Sequence, residues 1–223
     1  MIVVIPAKGT SSRVPGKNLR PLAGQPLVLW TIEAALEAAV GPVLVSTDHP
    51  TIAKLAETAG ARVIERPEAL ARDPAEAPDV ALHALDCAEQ QGFEFGSVMM
   101  LLPTSPFRNA THIREAVALH RTHALNVLSV TEAPELTRKL HVRLPDSPTM
   151  VPRAIAAPLL LNGAIWIATR QRLRADGFFS GHAALPYVMD RYEGIDIDTE
   201  ADFALAEMIA RWITSSTLTA RSA

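Results

Sequence analysis

Short apolar runs alternate with segments of helical periodicity along most of this chain. The runs are rich in branched residues, which is typical of strands buried on both faces. Predicted strands cover 2–5, 43–46, 61–64, 97–102, 127–130 and 159–168, and predicted helices cover 29–40, 51–59, 80–90, 113–120 and 199–212. This alternation predicts a Rossmann-like α/β fold, with a mostly parallel sheet, helices on both faces and ligands at the carboxyl ends of the strands.

A long polar loop follows the first predicted strand. Residues 6–21 are rich in Gly, Ser, Pro and basic residues, and loops of more than about 12 residues without structure of their own are usually functional. The cations of this loop are Lys8, Arg13, Lys17 and Arg20. Because backbone amides and basic side chains can converge on phosphate oxygens after a strand, we predict a phosphate-binding loop. A solvated surface loop with accidental charges is the alternative.

Two better-known phosphate motifs do not fit this loop. A P-loop has its second glycine five positions after the first, and Ser or Thr after the lysine. Here Gly16 follows Gly9 by seven positions, and Asn18 follows Lys17. The dinucleotide pattern G-x-G-x-x-G is also missing, which argues against a nicotinamide or flavin enzyme.

Two aspartates near the carboxyl end form a D-x-D pattern. Asp196 and Asp198 follow Gly194, and residues two apart in an extended segment point to the same side, so both carboxylates can hold one cation. A pair is sufficient for Mg²⁺ when a nucleotide supplies further oxygens. The competing interpretation is that Asp198 or Thr199 caps the last predicted helix, with Asp202 completing a capping box. The two interpretations are compatible.

The composition argues against several classes of partner. The net charge of -3 provides no general field for nucleic acid or an anionic membrane. No apolar stretch approaches the roughly 20 residues of a membrane-spanning helix, and the amino terminus lacks the apolar run of a signal peptide. The single cysteine, Cys87, cannot form an internal disulfide. We expect one cytoplasmic domain over residues 1–223 that binds neither nucleic acid nor membrane.

Six short segments, spread over nearly the whole chain, occur in the order of a known family pattern. The first is IPAKGTSSRVPGKN at 5–18. The others are STD at 46–48, RPEALARD at 66–73, LLPTSPFR at 101–108, NGAIWI at 162–167 and DIDTEADF at 196–203. Together they resemble the acylneuraminate cytidylyltransferases (CMP-sialic acid synthetases), and this resemblance implies a fold of the nucleotide-diphospho-sugar transferase type.

The resemblance implies transfer of CMP from CTP to a 2-keto sugar acid, such as sialic acid or a related nonulosonate, with release of pyrophosphate and with Mg²⁺ as cofactor. The implied catalytic residues are Lys8, Lys17 and Asp198, and the implied metal ligands are Asp196 and Asp198. The implied nucleotide-binding residues are Ala7, Lys8, Gly9, Arg13, Lys17, Asn18, Asp73, Pro103 and Ser105. The implied substrate-binding residues are Thr104, Asn162 and Gly163.

The chain departs from the family pattern at positions that bear on specificity. The family's usual Gln is Leu102 here, a usual Lys is Ser12, and a usual Arg is Lys8, which keeps the charge but loses the bidentate fork. The acceptor sugar therefore stays open. The alternatives are a nucleotidyltransferase for another sugar or alcohol phosphate and a catalytically silent relative that binds nucleotide or a partner protein.

Residues 134–158 interrupt the alternation of strands and helices. This segment contains several prolines and a possible short ribbon over 139–144. Its apolar residues include Leu136, Leu140, Val142 and Leu144. Because the sheet cannot easily cover them, another subunit could do so, and members of the family that the chain resembles are commonly dimers. We expect an inserted dimerisation segment and a homodimer.

Overall fold

A seven-stranded sheet forms the centre of the fold. The computed structural model describes residues 1–11, 13–72, 76–136, 140–143, 150–153, 156–181 and 183–220. Its strands are β1 (Ile2–Pro6), β2 (Pro21–Leu22), β3 (Gln25–Pro26), β4 (Val43–Thr47), β5 (Arg62–Glu65), β6 (Ser97–Met100), β7 (Asn126–Glu132), β8 (His141–Arg143), β9 (Met150–Pro152), β10 (Leu159–Thr169) and β11 (Ala184–Met189). The central sheet has the order β11-β7-β10-β6-β1-β4-β5.

Helices connect most of these strands. They are α1 (Leu27–Ala38), α2 (Pro50–Ala59), α3 (Glu68–Ala71), α4 (Ala77–Gln90), α5 (Ala110–His123), α6 (Arg170–Asp176) and α7 (Glu200–Ala220). A short 3-10 turn, Lys17–Leu19, lies in the first loop. Within the described ranges, no helix combines the length and the apolar character that crossing a membrane requires.

The sheet is mostly parallel, as predicted. β1 runs parallel to its neighbours β4 and β6, β4 runs parallel to β5, and β7 runs parallel to β11. The exception is β10, which is antiparallel to both β6 and β7. The carboxyl ends of β1, β4, β5 and β6 therefore meet at one edge of the sheet.

The two faces of the sheet are covered by different helices. Val3 packs on one face in a cluster with Ile32 of α1 and Ile113 of α5. Val4, the next residue along β1, packs on the other face with Leu85 of α4. Successive residues of a strand point to opposite faces, so a run that is apolar throughout needs cover on both sides. The predicted arrangement of helices on both faces is confirmed.

Several elements have no counterpart among the predicted ones, namely the two-residue strands β2 and β3, the one-turn helix α3, β9, β11 and α6. β11 contains Pro186, whose lack of a backbone N–H donor argues against a strand in the sequence. The strand forms because β11 lies at the edge of the sheet, where proline is tolerated. α6 has only seven residues, too few for its periodicity to be recognised. The last helix also continues to Ala220, past its predicted end at 212.

The segment 134–158 carries a small structure of its own. β8 and β9 pair antiparallel as a two-stranded ribbon, separate from the central sheet. The predicted ribbon over 139–144 therefore agrees with the structure at His141–Arg143, while 139 and 144 lie outside the described residues.

Candidate active site

A cleft of about 470 Å³ opens at the carboxyl edge of the parallel strands. Pro6 ends β1, Arg66 follows β5 and Leu102 follows β6, and all three line the cleft. This is the position at which open α/β sheets bind their ligands. The location agrees with the expectation from the sequence.

The first loop supplies one side of the cleft. Lys8, Arg13, Lys17 and Asn18 all line it, together with Thr10 and Ser11. The Asn18 Nδ2 donates to the Lys8 carbonyl over 2.8 Å, and this bond closes the loop on itself. The structure thus brings three of the four predicted phosphate-binding cations of this loop to one surface.

Arg20, the fourth cation of the loop, turns away from the cleft. Its guanidinium forms an ion pair with Glu200 and lies 4.0 Å from the centre of the Phe203 ring. Arg20 therefore fastens the loop to the last helix, and the set of cations that faces the cleft is smaller than the sequence predicts.

The aspartate pair forms the part of the cleft wall next to the first loop. Asp196 and Asp198 both line the cleft, while Ile197 between them is fully buried, as an extended segment requires. The Lys17 Nζ donates to the Ile197 carbonyl over 2.6 Å and lies 3.9 Å from Asp198 Oδ1. Arg13 Nη2 lies 2.9 Å from the same Asp198 oxygen. The first loop and the aspartate pair are therefore in direct contact.

Charge and burial act together on two of these groups. Burial lowers the pKa of the Lys17 ammonium, and the carboxylate of Asp198 opposes that effect. Burial also raises the pKa of the Asp196 carboxyl, and a hydrogen bond from Thr104 opposes it. Perturbed ionisable groups that share a cleft are typical of functional sites.

The aspartate pair fits a divalent cation that also binds a nucleotide. Asp196 Oδ1 is buried and has no hydrogen-bond partner among the described residues. Because an unpaired buried acceptor is costly, this oxygen is suited to binding a ligand such as a cation. The described part of the chain holds no cluster of three or more His, Cys, Asp or Glu side chains that could bind a metal. Mg²⁺ is commonly bound by one or two carboxylates, with substrate phosphates and water completing its shell.

The residue that caps the last helix is Thr199, not Asp198. The Thr199 Oγ1 accepts from the Asp202 amide over 3.2 Å, and Asp202 Oδ2 accepts from the Thr199 amide over 2.8 Å. Thr199 and Asp202 therefore form the predicted capping box of the last helix. Asp198 is left to face Arg13, so the two interpretations hold together.

The loop after β6 supports the aspartates from behind. Pro103 and Thr104 line the cleft, as expected. The Thr104 carbonyl accepts from the Ile197 amide over 2.8 Å, and its side chain hydrogen-bonds with Asp196. Ser105 is fully buried, and its hydroxyl donates to the Asn162 carbonyl over 2.8 Å. Ser105 thus lies behind the wall that Pro103 and Thr104 form.

Asn162 and Gly163 also lie behind this wall. The Asn162 amide spans two neighbours on β7, accepting from Ser129 Oγ over 2.5 Å and donating to Thr131 Oγ1 over 3.1 Å. Gly163 has a φ of +71°, and a Cβ at this position would lie 3.0 Å from Leu102 Cδ1. Neither residue lines the cleft, so their predicted contact with substrate stays a prediction.

Three further predicted nucleotide-binding residues do not face the cleft or cannot be located. Ala7 is fully buried. The Gly9 amide donates to Asp48 Oδ1 over 2.7 Å, and this bond holds the first loop to the end of β4. Asp73 lies outside the described residues, as does Ser12.

Several residues that line the cleft are absent from the predicted set. Besides Pro6, Thr10, Ser11 and Leu102, they are Arg66, Leu70, Glu76, Ala77 and Val80. Arg66 is buried, and its guanidinium donates to the Ser46 carbonyl over 2.9 Å and to Ser46 Oγ over 3.2 Å. Burial lowers the pKa of Arg66 to about 10. Arg66 could have been predicted, because it begins the segment RPEALARD that resembles the family pattern. By contrast, nothing in the sequence around Glu76 indicates that the start of α4 lines the cleft.

A family model described as cytidylyltransferase matches residues 2–136, which is more than half of the 223-residue chain. The chain belongs to the cytidylyltransferase family. The matched region includes the first loop and the loop after β6. Most of the residues that line the cleft therefore lie within the region that matches the family model. The predicted resemblance is confirmed.

Individual relatives agree with this assignment. This cytidylyltransferase-family chain is 35% identical to the CMP-N,N'-diacetyllegionaminic acid synthase of Legionella pneumophila, over 94% of the chain and 95% of that relative. It is 36% identical to an N-acylneuraminate cytidylyltransferase of Escherichia coli, over 92% of the chain. The match covers 51% of the Escherichia coli protein, so the chain spans about half the length of that relative.

A solved structure supports the fold. CMP:2-keto-3-deoxy-manno-octonic acid synthetase, in complex with CTP, superimposes with a TM-score of 0.69 over 96% of this chain and 98% of its own. The sequence identity is 20%, so this likeness bears on the fold alone.

Proposed function

We propose that this chain transfers CMP from CTP to a 2-keto sugar acid and releases pyrophosphate. The observation that carries this proposal is the meeting of Lys17, Arg13 and the aspartate pair in one cleft at the carboxyl edge of the sheet. A triphosphate requires cations and its metal requires carboxylates, and the cleft offers both kinds of group. The legionaminic acid synthase, which matches over 95% of its length, supports a nonulosonate as the acceptor.

The reaction follows from the residue types. The oxygen of the sugar hydroxyl attacks the α-phosphorus of CTP and loses its proton to solvent, and the bond from that phosphorus to the oxygen of pyrophosphate breaks. Negative charge grows on the departing pyrophosphate, and the cleft cations Lys8, Lys17 and Arg13 stabilise it. Because Lys17 is anchored on the Ile197 carbonyl, it meets the phosphate without reorganising.

Magnesium is the cofactor that we propose for the aspartate pair. Asp196 and Asp198 would hold it, and Asp196 Oδ1, which has no hydrogen-bond partner among the residues that the structure describes, supports that role. When bound, the cation neutralises phosphate charge and orients the triphosphate. The side chain of Thr104 orients Asp196 through its hydrogen bond.

The deciding experiment is a pyrophosphate-release assay. Wild-type protein is incubated with CTP, UTP, ATP or GTP, with and without Mg²⁺, against N,N'-diacetyllegionaminic acid, N-acetylneuraminic acid and 2-keto-3-deoxy-manno-octonic acid. We expect turnover with CTP, Mg²⁺ and at least one of these acids. Turnover only with sugar phosphates or alcohol phosphates would replace the acceptor class. Absence of turnover with every pair, together with nucleotide binding, would favour the silent relative.

Nucleotide preference can be measured without knowing the acceptor. A nucleotide at a hundred times its dissociation constant stabilises the folded state by about 2.7 kcal/mol, which appears as a rise in melting temperature. We expect a larger rise with CTP than with UTP at equal concentration. Equal shifts would contradict cytidine specificity.

We also propose a homodimer located in the cytoplasm, where CTP is supplied. Support for the dimer comes from the ribbon of β8 and β9 and from exposed leucines at the start of β10. These leucines are Leu159, Leu160 and Leu161.

A further inference from the structure

Arg108 is a buried cation behind the wall of the cleft. Its side chain is 2% exposed, and it does not line the cleft. The Nε donates to the Ala164 carbonyl over 2.7 Å, and Nη2 donates to the Leu102 carbonyl. One planar guanidinium therefore ties the loop after β6 to β10.

The loop that Arg108 holds forms part of the proposed transfer site. Leu102 and Thr104 line the cleft, and the Thr104 carbonyl accepts from the amide of Ile197, between the two aspartates, over 2.8 Å. On the strand side, Ala164 follows Gly163, whose missing side chain makes room for Leu102. The two carbonyls that Arg108 joins thus belong to segments that meet directly beneath the aspartate pair.

A charge at this position is costly for folding. A buried guanidinium loses its hydration, and an apolar residue of similar volume is often neutral or stabilising in its place. Arg108 Nη1 has no partner among the described residues, so the compensation is incomplete. Burial lowers the pKa of Arg108, and the nearby carboxylate of Asp196 opposes this effect. Stability alone therefore gives no reason for a cation here.

We propose that Arg108 is a positioning residue, which fixes the 102–104 wall and, through Thr104, the Asp196 carboxylate relative to the first loop. The inference rests on the proposed cytidylyl transfer. Because Arg108 touches the wall from behind, it acts on the alignment of the bound reactants. In the described part of the chain, Arg108 contacts none of the first-loop cations proposed to bind the triphosphate, so nucleotide affinity should depend on it less than turnover does.

The test is Arg108→Lys, which keeps the charge but cannot donate to both carbonyls in the same fork. We expect kcat to fall about ten- to a hundredfold, the cost of a small misalignment at a distance from the chemistry. The KM for CTP, and the CTP dissociation constant measured by calorimetry without acceptor, should change less than about threefold. Full kcat, or a loss of CTP affinity as large as the loss of kcat, would overturn the inference.

Two control variants separate positioning from general weakening. Arg114 also joins two carbonyls, donating to Ala38 over 3.3 Å and to Glu37 over 2.6 Å, but it does not line the cleft. Arg114→Lys should keep kcat. Ile113→Ala removes core packing in α5 and should lower the melting temperature while keeping kcat. If Ile113→Ala loses kcat as Arg108→Lys does, the effect is one of stability and the inference fails.

A double-mutant cycle tests the route through Thr104. Thr104→Val removes the hydroxyl that hydrogen-bonds with Asp196. If Arg108 acts through this wall, the kcat of the double variant should be little lower than that of the worse single variant. The reason is that both substitutions disturb the same alignment of the Asp196 carboxylate. Multiplication of the two losses would contradict the proposed route.

The outcomes also distinguish this inference from the proposed function. An active wild-type protein with a fully active Arg108→Lys variant refutes the inference alone, whereas an inert wild-type protein refutes both. If Arg108→Lys fails to fold, Arg108→Met fills the space without charge and takes its place in every measurement. Failure of both variants to fold would mark Arg108 as a stability residue and overturn the proposal.

Discussion

Arg13 Nη2 lies 2.9 Å from Asp198 Oδ1 and joins the first loop to the aspartate pair. Both side chains are well exposed, and such pairs contribute only about 0–1 kcal/mol to stability. A triphosphate would compete for Arg13, and a cation would compete for Asp198. The pair is therefore a weak contact that ligand binding can exchange for two stronger ones.

The first prediction concerns the aspartates. Asp196→Asn or Asp198→Asn should lower Mg²⁺-dependent turnover by orders of magnitude, because each removes an anionic ligand from a cation that supplies several kcal/mol, and each 1.4 kcal/mol is about tenfold in rate. The melting temperature should change little for Asp198→Asn, because Thr199 caps the last helix. Asp202→Ala, which breaks the capping box, is the matched control.

That control should give the opposite pattern. Loss of Asp202 should lower stability by about 1 kcal/mol, while turnover stays near the wild-type value. Steady-state kinetics and thermal melts on the same samples measure both quantities. An Asp196→Asn enzyme with full Mg²⁺-dependent turnover would eliminate the metal assignment.

The second prediction separates the cations of the first loop. Lys17→Ala should lower turnover strongly, because it removes a cation that is already anchored on the Ile197 carbonyl. Arg20→Ala should keep turnover and lose some stability, because Arg20 pairs with Glu200 and Phe203 instead of facing the cleft. Initial rates at saturating CTP test both variants. Equal losses of turnover would mean that net loop charge, not position, matters.

The sequence predicted those parts of the site whose residues lie close together in the chain. The loop after β1 and the D-x-D pair are such short segments, and residues of both line the cleft. The alternation of apolar runs predicted the sheet and both helical layers for the same reason. β11 was missed because only its edge position in the sheet makes Pro186 acceptable.

Tertiary contacts explain what the sequence could not predict. Glu76 reaches the cleft only because α4 starts beside the first loop, and no residue pattern encodes that approach. Arg108 is part of a recognised segment, but its role depends on carbonyls of Leu102 and Ala164, which are far apart in the chain. Asn162 matched the family segment too, yet its amide is engaged by Ser129 and Thr131.

The third prediction concerns Gly163, which has a φ of +71°. Gly163→Ala should lower both stability and turnover, because its Cβ would lie 3.0 Å from Leu102 Cδ1 and 3.7 Å from Asp196 Oδ2. Gly177→Ala is the matched control, with a φ of +72° and nothing within 4 Å of its Cβ. It should show only the backbone cost of about 1–2 kcal/mol and keep turnover. Urea unfolding and kinetics compare the two, and equal behaviour would mean that the contacts at Gly163 are unimportant.

The fourth prediction is an alkaline loss of stability at Tyr187. Its hydroxyl donates to Glu115 over 2.6 Å, and burial, followed by this carboxylate, raises the pKa of Tyr187 above its ordinary value. The unfolded chain ionises first as the pH rises, at about 10. The stability that Tyr187 contributes is therefore complete below about pH 10 and decreases above it, towards the folded pKa.

Urea unfolding of wild type and Tyr187→Phe at several pH values measures this contribution. The difference in the free energy of unfolding should be constant below about pH 9 and shrink between about pH 10 and 11. Tyr192→Phe, at the chain's other tyrosine, is the control substitution. A difference for Tyr187→Phe that stays constant up to pH 11 would contradict the raised pKa.

The last prediction concerns the proposed homodimer. Leu159, Leu160 and Leu161 are 43%, 51% and 59% exposed at the start of β10 in the single chain. A run of exposed leucines on a strand is typical of a surface that a partner subunit covers. Leu160→Glu should shift the mass measured by light scattering from dimer to monomer, because a charge at an apolar interface loses its hydration. Met208→Glu, at a residue that is 70% exposed on the last helix, should leave the mass unchanged. A monomeric wild type at micromolar concentration would refute the dimer, and dissociation by Met208→Glu instead would move the interface to the last helix.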